Sequence, residues 1–505
     1  MNCLIPVTGI LMLSVVLAGC ASIPADRGVS VASELLLTRS DSSQGVSISA
    51  AQKDVQAEVD GLLALPMHVN EAVRLALLNS PRMRVLYAEL GFAQADVYDA
   101  SRLSNPTLGY LRTAASGGAS KTTWSLSQSF TELLFLHYRT QLSRGELLQA
   151  QQRIAHEVLA LEADVRSAYY QYVSAELISQ MTENQMRLLE ATSQYAQQLF
   201  DAGNISKLQL KYEQAQGSEV LISKRKVTLD ALLAQAKLMT LMGLSVHGTD
   251  GQELPSFEVR LPLPVVLTVE VSNLQAWAQA QRLDLAALRG HVNMLEENAK
   301  HVSRWHWLGG ARVLAEHERD SGSAAFTGVG AEVDLPLFNQ GAGNLLRADA
   351  SLEMGKARIA QLQLEIRNDV AVRYAAAQAA LANVEEYRTR LLPMREQIVT
   401  LNQRQHDYML IGTFELLTAR RQEMDAYQLY LEAVRDYWIA HSELLRAAGG
   451  YLPQGMDDGD TGISIGAEML VTDHTDENSV RRSVPVMEHG EHPVSEQSSS
   501  SGVAP

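Results

Sequence analysis

The chain has 505 residues, 46% hydrophobic and 20% charged, which is enough for a folded protein with a large core. Its formal net charge of −16 argues against nucleic acid as the main partner. Beyond the extreme N-terminus the sequence has no apolar run of the roughly 18 residues that a membrane-spanning helix needs. If the protein crosses a membrane, it must therefore do so with strands.

The N-terminus is typical of a targeting segment. An apolar run ends at Leu17-Ala18-Gly19-Cys20, which resembles the bacterial lipobox. This pattern predicts that residues 1–19 are a signal peptide and that Cys20 is acylated. Residues 1–19 contain no Lys or Arg, so an ordinary secretory signal is the alternative. Cys3 would leave with the signal, so we expect no disulfide, and no cofactor beyond a covalent lipid on Cys20.

The body of the chain reads as two successive copies of one architecture. After a tether over residues 20–64, the first copy covers residues 65–255 and the second covers residues 256–452. Each contains a helix, two strands, a very long helix, a break with glycine and a further helix. Pro81 aligns with Leu283 at an offset of 202, and Gly203 aligns with Gly412 at an offset of 209.

The long helices are predicted from apolar residues recurring every three or four positions after Val158. The first spans about Gly145 to Phe200, which would make a rod of roughly 80 Å. The second spans Asn344 to about Ile411, with Pro393 as its one interior proline. Rods of this length must lie against other helices to bury an apolar face.

Two pairs of segments show the period-two alternation of strands. We predict strands at Thr107–Ala114 and Thr122–Thr131 in the first copy, and at Ala311–His317 and Phe326–Leu335 in the second. One apolar and one polar face suit a strand between lipid and water. Four strands cannot close a membrane barrel, so several chains must contribute to one, and three would give about twelve strands.

Several motifs, in order, resemble the TolC-like outer-membrane factors over roughly residues 65–450. Asn70-Glu71-Ala72 with the later Asn79-Ser80-Pro81 resembles the first helix of that family. Leu335-Pro336-Leu337-Phe338 resembles the passage from the last strand into the second long helix. The segments around Gly203 and Gly412 resemble its two periplasmic turns.

The resemblance implies a mainly α-helical fold with a membrane β-barrel part, built from two tandem structural repeats. Three chains would share a twelve-stranded barrel and an α-helical tunnel. The implied function is a non-enzymatic exit duct in the bacterial outer membrane. The implied partners are a periplasmic adaptor (membrane-fusion) protein and an inner-membrane pump of the resistance-nodulation-division type. The alternatives are a type I protein-secretion duct and a structural coiled-coil lipoprotein without a pore.

The resemblance places adaptor docking at the two turns. The residues concerned are Gly203, Asn204, Ile205, Ser206, Gly412, Thr413 and Phe414. Glycine would allow each tight turn, Asn204 and Ser206 could cap the next helix, and Ile205 and Phe414 would be exposed apolar contacts. The alternative is that these residues only form turns.

The family has an acidic ring inside the second turn, and Glu415 is the only carboxylate available there. We therefore predict Glu415 at the channel entrance, although Thr418 stands one helical turn further on.

The sequence carries no recognisable catalytic motif. It lacks a phosphate-binding loop, and His156-Glu157 is followed by Ala160 where a zinc motif needs histidine. The tail, residues 453–505, contains Met487, His489 and His492, a set that suits copper. We expect the tail to be acidic and disordered, so the alternative to metal binding is that these three residues are incidental in it. We expect either heavy-metal or drug efflux.

Overall fold

The computed structural model describes residues 34–35, 52–114, 116, 120–246, 255–305, 309–321, 324–452 and 464–466. Cys20, Met487, His489 and His492 lie outside these ranges. The helices are α1 (Gln52–Leu63), α2 (Val69–Asn79), α3 (Pro81–Ala100), α4 (Phe130–Asp201), α5 (Lys207–Met242), α6 (Val271–Gln281), α7 (Leu283–Trp305), α8 (Ala342–Glu386), α9 (Leu392–Asp407) and α10 (Thr413–Ala448). The strands are β1 (Thr107–Ala114), β2 (Ser120–Ser129), β3 (Leu261–Pro262), β4 (Ala311–Asp320), β5 (Phe326–Val333) and β6 (Ser464–Ile465).

Helix α4 is the longest element, with 72 residues, or about 108 Å at 1.5 Å per residue. It begins at Phe130, 15 residues before the predicted start at Gly145. Ser129 caps it, since the Ser129 hydroxyl accepts from the backbone N–H of Glu132 at 3.4 Å. This cap also ends β2 at Ser129, so the prediction that the strand continues to Thr131 was wrong.

Strands β1, β2, β4 and β5 form one antiparallel sheet in that order, leaving β1 and β5 at its edges. Strand β1 has the predicted bounds. Strand β4 runs on to Asp320 instead of ending at His317, because Lys121 pairs with Asp320 in register and its ammonium lies 2.7 Å from the Glu318 carboxylate. Strand β5 ends at Val333, two residues before the predicted Leu335.

The register sorts the sheet into two faces. The apolar face carries cross-strand rows such as Leu108, Leu126, Ala315 and Val329. These side chains are exposed, and Val329 reaches 87% of its maximal accessibility. The opposite face is mostly polar or glycine, with members that include Ser125, Ser127, Glu316, Glu318, Gly328 and Glu332. The sheet thus alternates as predicted, and none of the described residues covers its apolar face.

The second long rod is not one α-helix. A π-helical turn at Tyr387–Leu391 separates α8 from α9, and Pro393 lies in the first turn of α9. Proline has no N–H to donate and its ring crowds the preceding turn, so a wider turn just before it relieves the conflict. The predicted continuous helix from Asn344 to Ile411 was wrong at this point, and α9 ends at Asp407.

The core lies where the short helices pack on the middle of the rods. Tyr170 of α4 stacks on Trp438 of α10 at 5.2 Å between ring centroids. The Trp438 indole N–H donates to the carbonyl of Pro262 at 2.7 Å, and the Tyr169 hydroxyl donates to the carbonyl of Met67 at 3.2 Å. The Tyr170–Trp438 stack joins the two halves of the chain, and each of the two hydrogen bonds holds a helix to a segment of its own half. Within the described ranges, no helix combines the length and apolarity needed to cross a membrane.

Candidate functional site at the helical tips

The first tip joins α4 to α5 through a Schellman turn. Gly203 has a φ of +76°, its N–H donates to the carbonyl of Phe200 at 2.9 Å, and the N–H of Asn204 donates to the carbonyl of Leu199 at 2.8 Å. The Ser206 hydroxyl then accepts from the N–H of Gln209 at 3.2 Å and caps α5. Glycine therefore supplies the left-handed residue and serine the cap, whereas Asn204 closes the preceding helix.

The second tip, between α9 and α10, repeats this turn with different residues. Met409 has a φ of +58° and donates to the carbonyl of His406 at 2.8 Å. The N–H of Leu410 donates to the carbonyl of Gln405 at 2.9 Å. Gly412 caps α10 with no side-chain hydrogen bond, and its φ is −81°.

The alignment of Gly203 with Gly412 was therefore wrong. By hydrogen bonds and backbone conformation, Gly203 corresponds to Met409 and Ser206 to Gly412, an offset of 206 in both cases. A glycine at Gly412 is not required by φ, and the space around the Cβ it lacks is open. Matching the position of the helix cap, rather than the glycine, would have given this offset from the sequence.

The exposed apolar residues of the tips differ from those expected. Ile205 and Phe414 are only half-exposed, and the Phe414 ring lies 6.3 Å from that of Tyr195 on α4. The side chains presented to solvent are Leu208 and Tyr212 at the first tip and Tyr408, Met409 and Leu410 at the second. Met409 is 93% exposed, so this residue gains nothing from burial. An apolar surface gathered at a helix–helix tip is typical of a protein-binding surface.

Next to the tips, a groove runs between the α4–α5 hairpin and the α9–α10 hairpin. It encloses a cavity of about 50 Å³. Its apolar lining comes from α4, α5 and α10 and includes Leu188, Leu189, Val220, Phe414, Leu417 and Met424. The Arg421 guanidinium of α10 donates to the Gln216 side-chain oxygen of α5 at 2.6 Å, so one hydrogen bond spans the groove.

Two carboxyl groups line this groove beside Arg421. Burial raises the pKa of Glu213, against the lowering effects of its hydrogen bond from Gln209 and of nearby Arg421. Burial also raises the pKa of Asp425, against the lowering effects of Arg421 and Arg395. The groove is thus apolar enough to disfavour charge, and arginine partly compensates for it.

Glu415 lies exposed in the first turn of α10, where its backbone N–H donates to the carbonyl of Gly412 at 3.2 Å. Thr413 stands beside it, with its hydroxyl 3.2 Å from a ring nitrogen of His406. The role of Glu415 at a channel entrance stays a prediction. In the part of the chain that the structure describes, no group of three or more His, Cys, Asp or Glu residues is placed to hold a metal ion.

No protein-family model matches the chain, and no curated protein matches it either. Solved structures do. The chain is similar to the outer-membrane channel OprN, with a TM-score of 0.63, 16% identity, and coverage of 86% of this chain and 95% of OprN. It is similar to CusC, whose crystal structures concern folding and transmembrane channel formation, with a TM-score of 0.62, 15% identity, and coverage of 77% and 93%. It is also similar to the outer-membrane protein VceC of Vibrio cholerae, with a TM-score of 0.61, 15% identity, and coverage of 76% and 96%.

The chain has the fold of the TolC-like outer-membrane factors. The predicted resemblance and the mainly helical class are confirmed. Of the solved structures that share this fold, OprN is an outer-membrane channel and CusC forms a transmembrane channel.

Proposed function

We propose that this protein is the outer-membrane exit duct of a tripartite efflux system and that three copies form the duct. The observation that carries the proposal is a four-stranded sheet with an exposed apolar face and with β1 and β5 as its edge strands, attached to helical rods about 100 Å long.

The sheet is incomplete as a membrane structure. In lipid, the backbone groups at the edges of β1 and β5 would each cost several kcal/mol if they stayed unpaired. Pairing β1 of one copy with β5 of the next removes both edges, and three copies supply about twelve strands, within the range of closed membrane barrels. A coiled-coil lipoprotein without a pore would gain nothing from an exposed apolar sheet, so the sheet favours a duct.

The rods place the tips far from the sheet. With the sheet in the outer membrane, α4, α5, α9 and α10 extend into the periplasm and present both tips to an inner-membrane complex. The exposed side chains at Leu208, Tyr408, Met409 and Leu410 give an adaptor protein an apolar surface to bury. A pump of the resistance-nodulation-division type would then supply the energy.

We also propose that a lipid on Cys20 anchors the mature N-terminus to the outer membrane. The support is the sequence Leu17-Ala18-Gly19-Cys20. Metabolic palmitate labelling should mark the wild type and not Cys20→Ser, and equal labelling would refute the anchor. We expect Cys20→Ser to remain largely inserted, because the strands provide most of the membrane contact and the lipid anchor is auxiliary.

For the transported substrate, we propose heavy-metal or drug efflux in preference to protein secretion. The residues that favour metal are Met487, His489 and His492, a thioether and two imidazoles suited to copper. Copper and drug sensitivity of a deletion strain, measured with the full chain and with a chain truncated after residue 452, separates the classes. Loss of copper resistance alone in the truncated chain would support a metal role for the tail. Equal copper resistance with the full and the truncated chain would exclude a role of the tail in copper resistance.

The assembly is tested on purified protein in detergent. Light scattering should give the mass of three chains, and planar bilayers containing the protein should conduct ions. Circular dichroism should show mostly helix with a minor strand part. A monodisperse monomer that does not conduct would overturn the proposal.

A further inference from the structure

Two arginines lie on the apolar face of the sheet, near its turns. In register, Arg112 of β1 is opposite Thr122 of β2, and Thr122 is opposite Arg319 of β4. We call these three residues the arginine row. Adjacent strands are about 4.8 Å apart, so the two arginine Cα atoms are separated by roughly 10 Å. Two long side chains can therefore converge on one group above Thr122, whose hydroxyl adds a third donor.

The row next to it is aromatic and polar. Tyr110, Trp124, His317 and Thr327 are cross-strand neighbours on the same face, two residues closer to the helices. The rings of Tyr110 and Trp124 pack at 4.7 Å between centroids, and both side chains are exposed. Beyond them the face carries Leu126 and Val329. Tyrosine and tryptophan gather where hydrocarbon meets headgroups, so the arginine row lies about 7 Å further out, at headgroup level.

The two arginines differ from the other basic residues of the sheet. Lys121 and Arg312, on the polar face, lie 2.7 Å from a Glu318 oxygen and 4.0 Å from a Glu332 oxygen. Among the residues that the structure describes, neither Arg112 nor Arg319 has an ion pair, and both side chains are exposed. The connecting residues 115–119 and 321–325 contain no Asp or Glu.

A second copy would not supply the missing carboxylate. The edge strand that would pair with β1 is β5, and its residues on the apolar face are Thr327, Val329, Ala331 and Val333. The carboxylate of that strand, Glu332, lies on the opposite face with Arg312. The arginine row therefore stays cationic in the assembled sheet.

We infer that Arg112, Thr122 and Arg319 form a binding site for the phosphorylated headgroup of an outer-leaflet lipid. The inference rests on the proposed function, which directs the turn end of the sheet to the cell surface. Guanidinium groups bind phosphate oxygens through paired, charge-assisted hydrogen bonds, and the aromatic row alongside contacts the start of the acyl region. The lipid thereby becomes a ligand that holds the duct at a fixed depth.

The test measures lipid binding by purified, delipidated protein in detergent. The probes are bis-phosphorylated lipid A and the same lipid after dephosphorylation, with bound lipid read by native mass spectrometry. The wild type should bind the phosphorylated form at least about tenfold more tightly. Arg112→Gln and Arg319→Gln should each remove most of that preference. Inorganic phosphate should not displace phosphorylated lipid A when present at equal concentration. Displacement at equal concentration would show that the site binds phosphate itself, and the lipid would be overturned as its ligand.

The matched controls are Lys121→Gln and Arg312→Gln, which remove a positive charge from the same strands on the opposite face. These should bind as the wild type does. If a glutamine variant does not assemble, Arg112→Lys and Arg319→Lys keep the charge without the planar fork and should retain only part of the preference. Binding unchanged in all arginine variants, or lost equally in the controls, would overturn the inference.

Alkaline carbonate extraction of outer membranes separates this inference from the proposed function. If the wild type is released, the sheet does not span the bilayer and both proposals fail. If the wild type is retained and the arginine variants bind phosphorylated lipid normally, only the lipid site fails.

Discussion

The two tips of this protein make the same turn from different residues. The first has glycine in the left-handed position and serine as the cap of the next helix, the residue types that each place favours. The second has Met409 in the left-handed position and Gly412, without a side-chain bond, as the cap. An exposed methionine at φ +58° costs of order 1 kcal/mol or more that no burial offsets. The second tip is therefore less stable than the first, although the two turns have the same pattern of hydrogen bonds.

This difference is consistent with different roles for the two hairpins in docking. A strained turn with three exposed apolar side chains opens more readily than a relaxed one, and local opening is what a docking segment needs. We propose that the first tip is a fixed support and the second the adaptable contact. Hydrogen exchange of the tip amides, measured by mass spectrometry on the assembled protein, gives the local free energy of opening at each tip.

The largest effect is expected from Gly203→Val. A β-branched residue at φ +76° should cost about 2 kcal/mol, since valine disfavours the left-handed region. Exchange at the first tip should accelerate by about tenfold or more. The matched control is Gly412→Val, where φ is −81° and the Cβ meets open space, so only the smaller cost of losing a glycine cap, under about 1 kcal/mol, is expected. Equal effects of the two substitutions would contradict the assigned correspondence.

Met409→Gly should act in the opposite direction. Removing the side chain relieves the left-handed strain, while the greater freedom of glycine in the opened state offsets part of the gain. Exchange at the second tip should slow by an amount equivalent to about 1 kcal/mol at most. Met409→Asn should also slow exchange at the second tip, because asparagine tolerates the left-handed conformation. Faster exchange in both variants would mean that Met409 makes a stabilising contact in the proposed duct.

Ser206→Ala should weaken the first tip by about 1 kcal/mol, because the N–H of Gln209 loses its acceptor. Ser206→Gly copies the cap of the second tip and should cost only a few tenths of a kcal/mol. The comparison is made on exchange at the start of α5. A glycine variant as damaging as the alanine variant would show that the cap differs between the tips for another reason.

The smallest effect is expected from Gly412→Ser, which gives the second tip the cap of the first. A gain of a few tenths of a kcal/mol should appear as slightly slower exchange at the start of α10. Export activity should fall if adaptability of this tip assists docking. Unchanged export in Gly412→Ser and in Met409→Gly would remove the proposed division between the tips.

The sequence predicted the rods and the sheet because their signals are periodic. Apolar spacing after Val158 identified α4, and alternation identified all four strands of the sheet. Boundaries were less accurate, since they depend on single contacts such as the Ser129 cap and the Lys121–Glu318 pair.

The sequence predicted the positions of the two tip turns but not the residues that form them or are exposed there. Both tips lie where the glycines indicated, yet the left-handed residue of the second is Met409, which no propensity predicts. Solvent exposure at the tips also depends on packing between hairpins. Phe414 is half-buried against Tyr195 of α4, more than 200 residues away in sequence, and Tyr408 is exposed instead.

The π-helical turn at Tyr387–Leu391 has a consequence for the alignment of the second rod. Buried side chains follow one seam through Val370, Ala377, Val384, Leu392 and Val399, at spacings of seven, seven, eight and seven. A heptad keeps such a seam facing its partner, and one surplus residue would rotate everything below it by about 100°. The wide turn takes up the surplus residue, so Leu392 returns to the seam. The rod thus carries one extra residue here, directly before Pro393, without losing register with α10.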